Sequence, residues 1–204
     1  MQRKRRSERR EETRANLFLS ARDLFARRGY NATSVDDIAE NAGYTKGAFY
    51  ANFETKDAVA MAILEENVTD DDAHLHAEFD AAFAETGQLI PTIIRCAEQA
   101  SSDNRRDLLS VELLLQMSRM ERFGAAGRAL FARRHAAMCR FVNHILHRLD
   151  SKPIIDPALL ASIILGLQHG HVLLRVAGDQ TRYADVIANV LGRLINASPT
   201  EAAD

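Results

Sequence analysis

A chain of 204 residues with 47% hydrophobic content is long enough to bury a sizeable core, as one large domain or two smaller ones, without a covalent staple. Its two cysteines, Cys96 and Cys139, stand far apart in helical surroundings, which argues against a disulfide framework or a cysteine-rich zinc site and fits a reducing cytoplasm. The net charge of -2 is unevenly spread: residues 1–56 carry 12 Lys+Arg against 8 Asp+Glu and the remainder 14 against 20, so one end suits phosphate and the other does not.

The first ten residues, including Arg3, Lys4, Arg5 and Arg6, form a basic arm able to reach a minor groove or phosphates, or to serve simply as a solvated tail. It lacks the apolar run of a secretory signal, and no stretch approaches about 18 uninterrupted apolar residues, so a soluble cytoplasmic protein is expected. Helix one is predicted from about Ser7 to Arg28, with Leu17, Ala21, Leu24 and Phe25 inward and Gly29 ending it.

From Thr33 to Asp57 the chain spells a short helix, a glycine turn and a second short helix. Thr33 can cap the first, Asp36 and Asp37 face its positive dipole end, and Val35, Ile38, Ala39 and Ala42 share a face. Gly43 can turn the chain and Thr45 can cap the second helix. Ala48, Phe49 and Phe53 then pack inward, leaving Tyr44, Thr45, Lys46, Gly47, Tyr50 and Asn52 for a partner. A helix fits the major groove, Gly47 permits close backbone approach, and Lys46 and the Tyr50 hydroxyl can reach phosphate or base edges. Lys56 adds a cation at the start of the next helix.

The run from about Thr13 to Leu64 resembles the DNA-binding domain of the TetR/AcrR-like (tetracycline-repressor) family, notably in Tyr44-Thr45-Lys46-Gly47-Ala48-Phe49-Tyr50, Asn52-Phe53 and Thr55-Lys56-Asp57. Asn52 departs from the histidine or tyrosine more usual there. The resemblance implies an all-α chain: a helix-turn-helix DNA-binding domain at 1–56, then a helical effector-binding and dimerisation domain at 57–204. It also implies a two-fold dimer on a palindromic site, with half-sites about 34–36 Å apart or a multiple of that.

Beyond Thr55, which can cap a helix to about Phe79, helices are predicted at about 88–100, 105–120, 125–149, 156–177 and 181–197. The last two are apolar nearly all round, and Gly166 and Gly170 allow close approach. A second copy is therefore expected against Ile163, Gly166, Leu167, Gly170, Ile187, Val190, Leu191 and Leu194, with burial inside a monomer as the alternative. Leu113, Met117, Phe131, His135, Met138, Phe141, His169 and Arg175 are candidate liners of a sensing pocket.

The histidines give little metal chemistry: His74 and His76, or His169 and His171, diverge on a helix, and His144 with His147 lacks an evident third ligand. His135 and Cys139 share a face four residues apart. No catalytic residue, metal or cofactor is predicted. The expected function is a homodimeric regulator of transcription, not an enzyme, released from operator DNA by a small molecule and acting as a repressor. A small helical enzyme built on the C-terminal domain and a ligand-independent architectural DNA-binding dimer are the alternatives, and activator action stays open because operator position sets the sign.

Overall fold

The computed structural model describes residues 6–101, 104–118, 124–150 and 155–195. Among these, nine helices occur in order: α1 (Arg6–Arg28), α2 (Val35–Asn41), α3 (Lys46–Tyr50), α4 (Lys56–Thr86), α5 (Leu89–Ala100), α6 (Asn104–Ser118), α7 (Gly124–Arg148), α8 (Pro157–Val176) and α9 (Tyr183–Leu194). Residues 1–5 of the basic arm lie outside the described residues.

The head assembles from local signals. Leu17, Ala21, Leu24 and Phe25 recur at helical spacing and are buried. Gly29, at φ +82°, turns the chain out of α1 in a conformation costly for side chains with a Cβ. The expected cap at Thr33 is corrected: Ser34 caps α2 in a reciprocal box, its Oγ accepting from Asp37 N–H at 3.0 Å while Asp37 accepts from Ser34 N–H at 2.7 Å. Thr33 is 1% exposed and its hydroxyl donates to Gly29 O at 2.9 Å. Between the first two helices, Ser20 donates to Ile38 O at 2.8 Å and accepts from Asn41 at 2.9 Å.

Thr45 caps α3 and Thr55 caps α4, each hydroxyl accepting an N–H three residues on. At 31 residues α4 outruns its predicted end and stops at Gly87 (φ +64°); at 1.5 Å per residue it spans roughly 46 Å. Asp156 caps α8, with Pro157 in its first turn.

Two buried clusters result. One joins the head to the start of α4 (Val59, Ala60, Ile63, Leu64) and draws in Leu109 and Leu113 of α6 and Leu130 of α7. The other packs Phe79 of α4 with α5, α7, α8 and α9. There Gly192 matters: a Cβ on it would stand 2.7 Å from Ile90 Cδ1, so its bare backbone lets α9 lie close against α5. A Cβ built on Gly166 or Gly170 meets nothing within 4 Å, so neither glycine serves an approach inside the chain.

Candidate nucleic-acid interface and candidate ligand cavity

The helix-turn-helix presents one exposed edge. Thr45, Lys46 and Gly47 are exposed at the start of α3, and Tyr50 is 51% exposed one turn on, its ring edge-to-face against buried Phe49 at 5.6 Å. Lys46 is held by Asp36 of α2, Nζ to Oδ2 2.8 Å, and this partner raises its pKa. Tyr44 is half-buried, with its hydroxyl accepting from Asn16 at 3.0 Å.

Three expected contacts are otherwise engaged. Thr33 is buried beneath the head. Lys56 points inward: Nζ donates to Tyr30 O at 2.8 Å and Thr33 O at 2.9 Å and sits 4.1 Å from the Tyr30 ring centroid, pinning the turn between α1 and α2. Burial lowers its pKa. Asn52, just past α3, turns back on that helix, Nδ2 donating to Ala48 O at 2.8 Å, while its Oδ1 is buried with no donor among the described residues.

Two arginines that spacing did not single out brace α3. Arg10 donates to Ala51 O at 3.2 Å, and Arg14 donates to Asn52 O while lying 4.1 Å from the Phe53 ring centroid. Both therefore satisfy carbonyls at the end of α3, where the dipole favours cations. Their distance from α3 in sequence hid the role.

The second feature is a cavity of about 340 Å³ enclosed by α4 to α9, with an apolar wall that includes Phe79, Ile93, Met138 and Phe141. Met138, Phe141 and His169 line it as expected. Polar groups enter from several helices: His74 and Glu78 from α4, Arg106, Asp107 and Ser110 from α6, Arg134 from α7, Gln168 from α8 and Tyr183 from α9. Arg134 donates to Gln168 at 2.9 Å. Burial raises the Cys96 thiol pKa to about 11 and the Tyr183 hydroxyl higher still. Burial, then Arg134, lowers that of His169.

The other expected liners lie elsewhere. Leu113 is fully buried in the head cluster, where α6 packs against α1 and α4. Phe131 is 51% exposed. His135 Nε2 is 2.9 Å from Ser162 Oγ and 3.1 Å from Ala158 O, and its Nδ1 is 3.6 Å from Cys139 Sγ, so the pair bridges α7 to α8 outside the cavity. Arg175 does not line it, and the Met117 side chain lies outside the described residues.

Two interface candidates, Ile187 and Leu191, are instead buried in their own chain against the cavity. Val190 and Leu194 are half-buried. On α8, Ile163, Leu167 and Gly170 are half-buried and Gly166 exposed, flanked by Leu159, Leu173 and Leu174, each more than 50% exposed. This helix is long and apolar enough to cross a membrane by length and composition, and 22% of that window is buried inside the chain.

Among the described residues no three His, Cys, Asp or Glu side chains are grouped to hold a metal. His76 packs on Phe141 and His144, and His144 reaches Asp80 at 2.9 Å, away from His74.

The family model described as "Bacterial regulatory proteins, tetR family" matches residues 17–63, the stretch that builds the head and the first turns of α4. In sequence, the likeness to the TetR family is carried by the head. The chain is 38% identical over 59 residues to the HTH-type transcriptional activator FasR of Mycolicibacterium smegmatis, covering 29% of this chain and 27% of that one. It is 40% identical over 76 residues to the HTH-type transcriptional repressor Rv3405c of Mycobacterium tuberculosis, covering 37% and 40%. The matched stretch thus spans less than half the length of either curated relative.

The fold likeness runs further. Reduced NemR of E. coli superposes with a TM-score of 0.71 at 18% identity, covering 92% of this chain and 100% of that one. A putative TetR-family regulator of Mesorhizobium loti gives 0.69 at 19%, covering 89% and 96%. At such identity these structures establish a TetR-type fold for the helices beyond the head.

Proposed function

We propose that this chain is a homodimeric regulator of transcription that reads palindromic operator DNA through α3 and is released by a small molecule bound in the cavity. The observation that carries the reading is the exposed edge of Thr45, Lys46, Gly47 and Tyr50 on a helix whose other face is locked by Phe49, Arg10 and Arg14. Exposed donors on a rigidly held short helix suit groove contact, with phosphate interactions fixing its position. Tyr44 adds a polar flank.

Dimerisation through α8 follows from its exposed apolar face, because a large unpaired apolar stripe favours a partner and a two-fold axis pairs the same stripe with itself. A dimer sets two copies of α3 on two half-sites. Such a regulator works in the cytoplasm with the DNA it reads.

Effector action follows from shared helices. α6 lines the cavity with Arg106, Asp107 and Ser110 and packs into the head cluster with Leu109 and Leu113, so a change at one end is felt at the other. An effector preferring the DNA-incompetent state 100-fold supplies about 2.7 kcal/mol, within the usual coupling range. The repressor assignment draws on the family's habit; placement of the operator relative to a promoter decides it.

Selection from a random duplex library with the full-length protein at a stated salt concentration tests the reading. Enrichment of an inverted repeat is expected, and its release by a component of a metabolite extract would establish the effector arm. No enrichment by folded protein rejects operator reading.

A further inference from the structure

The helices proposed to read DNA are short of positive charge. Residues 35–52, which hold α2, the turn and α3, carry Asp36, Asp37 and Glu40 against one lysine, Lys46. Asp36 already holds that lysine at 2.8 Å, and Lys56 is turned inward to the Tyr30 and Thr33 carbonyls. A duplex presents one negative charge per about 1.7 Å of its axis, so a surface of this composition needs cations from another element.

The first turns of α1 supply them. At 3.6 residues per turn, Arg6, Arg10 and Leu17 fall within about 40° of one another, whereas Glu8, Glu11 and Glu12 fall about 100° or more from Arg10. The line that buries Leu17 in the head therefore carries the arginines along the end of α3, with the glutamates turned away. Arg6, Ser7 and Arg10 are exposed and form one side of a recess whose other side is Ala51 and Asn52, next in sequence to the half-exposed Tyr50.

Carbonyls at the end of a helix repel phosphate. Here Arg10 donates to Ala51 O and Arg14 to Asn52 O, so each carbonyl is covered by a cation. A guanidinium carries five N–H donors in a planar fork, and one bond to a carbonyl leaves Arg10 further donors for an anion.

We infer that a backbone phosphate of the bound duplex seats in this recess beside α3, held by Arg6 and Arg10 with the Ser7 hydroxyl donating a third bond. The inference rests on the reading of α3 as the operator helix. Such a contact fixes the position of α3 and carries no base preference of its own.

Fluorescence anisotropy of the full-length protein tests this with the selected inverted repeat and with a duplex of scrambled sequence, between about 50 and 200 mM salt. Arg6→Gln is expected to weaken both duplexes by a similar factor, several-fold or more, and to lower the salt slope by about 1 for each half-site engaged. Replacing single phosphates of the repeat by uncharged methylphosphonates should find one position per half-site that costs the parent several-fold in affinity and costs Arg6→Gln little. An unchanged slope in Arg6→Gln, or equal losses in parent and variant at every phosphate, overturns the inference. Arg6→Gln leaves the bonds of Arg10 and Arg14 to α3 in place, so it decides even if Arg10→Gln fails to fold.

The operator reading fails separately. An enriched repeat whose binding ignores Arg6 rejects the phosphate seat and keeps that reading. No enrichment, with scrambled-duplex binding that weakens and loses salt slope in Arg6→Gln, rejects operator reading and keeps the seat. A folded parent that binds neither duplex rejects both.

Discussion

Glu112, on α6, accepts a hydrogen bond from the backbone N–H of Tyr30 at 2.7 Å, joining a helix that lines the cavity to the turn that leads into α2 and α3. The same turn is held from α4, because Lys56 caps its carbonyls and the Tyr30 hydroxyl donates to buried Asp57. Two helices, α4 and α6, thus converge on the turn at residues 29–33.

Removing this acceptor leaves a half-buried amide unsatisfied. Glu112→Ala is expected to cost about 1–2 kcal/mol in urea unfolding, with Glu112→Gln recovering part through its carbonyl. Gly29→Ala should cost a similar ~1–2 kcal/mol, because alanine is strained at φ +82° and its Cβ would stand 3.1 Å from Glu112 Oε1. A Glu112→Ala protein as stable as the parent would remove the contact from the account.

The two lysines of the head should separate cleanly. Lys46→Ala is expected to weaken operator binding several-fold and lower the salt slope by about 1, with unfolding unchanged within ~0.5 kcal/mol. Tyr50→Phe should weaken binding without changing dimerisation. Lys56→Met should instead destabilise the fold by about 1–3 kcal/mol through the loss of the charged donor to the Tyr30 and Thr33 carbonyls. Unchanged operator affinity in both Lys46→Ala and Tyr50→Phe would defeat the assigned contacts.

Local features were legible in the sequence and convergent ones were not. The apolar spacing of Leu17, Ala21, Leu24 and Phe25 and the turns at Gly29 and Gly43 depend on near neighbours, and they stand as expected. The cap was not decided by spacing, since Thr33 and Ser34 each have an aspartate three residues on, Asp36 and Asp37, and the folded chain closes the box at Ser34. Lys56 was misplaced because its partners sit in a turn more than twenty residues away. Leu113 shows the limit of periodicity, which marks a residue as buried without saying in which cluster. Met138, Phe141 and His169 were found for the cavity, but Arg106, Asp107, Arg134 and Tyr183 meet there because separate helices converge.

Stability should depend on pH through two histidines. Burial is the main cause lowering the pKa of His169 and of His171, with Arg134 and Arg175 acting the same way; a bond to Leu165 opposes the shift at His169 and Asp179 opposes it at His171. Below about pH 6.5 the unfolded chain therefore binds protons that the folded chain refuses. The contribution is complete above that pH and is lost as pH falls through it toward the folded values. The urea midpoint should drop between pH 7.5 and 5.5, a window above ordinary carboxylate titration, and His169→Gln with His171→Phe should flatten the drop. An identical slope in the double variant would assign it elsewhere.

The apolar face of α8 gives the sharpest test of assembly. Leu159, Gly166 and Leu173 recur every seven residues, and no atom lies within 4 Å of a Cβ built on Gly166, so an arginine there has room in one chain but obstructs a close helix pair. Gly166→Arg is expected to shift the light-scattering mass from dimer toward monomer at micromolar concentration while keeping the helical circular dichroism. Its melting temperature should become independent of protein concentration, because subunit association no longer contributes to stability. Operator affinity should fall at least a hundredfold, since one chain engages one half-site and loses the effective concentration of the second. A variant that remains dimeric would place the two-fold axis on another surface, and a monomeric parent would remove the palindrome from the proposal altogether.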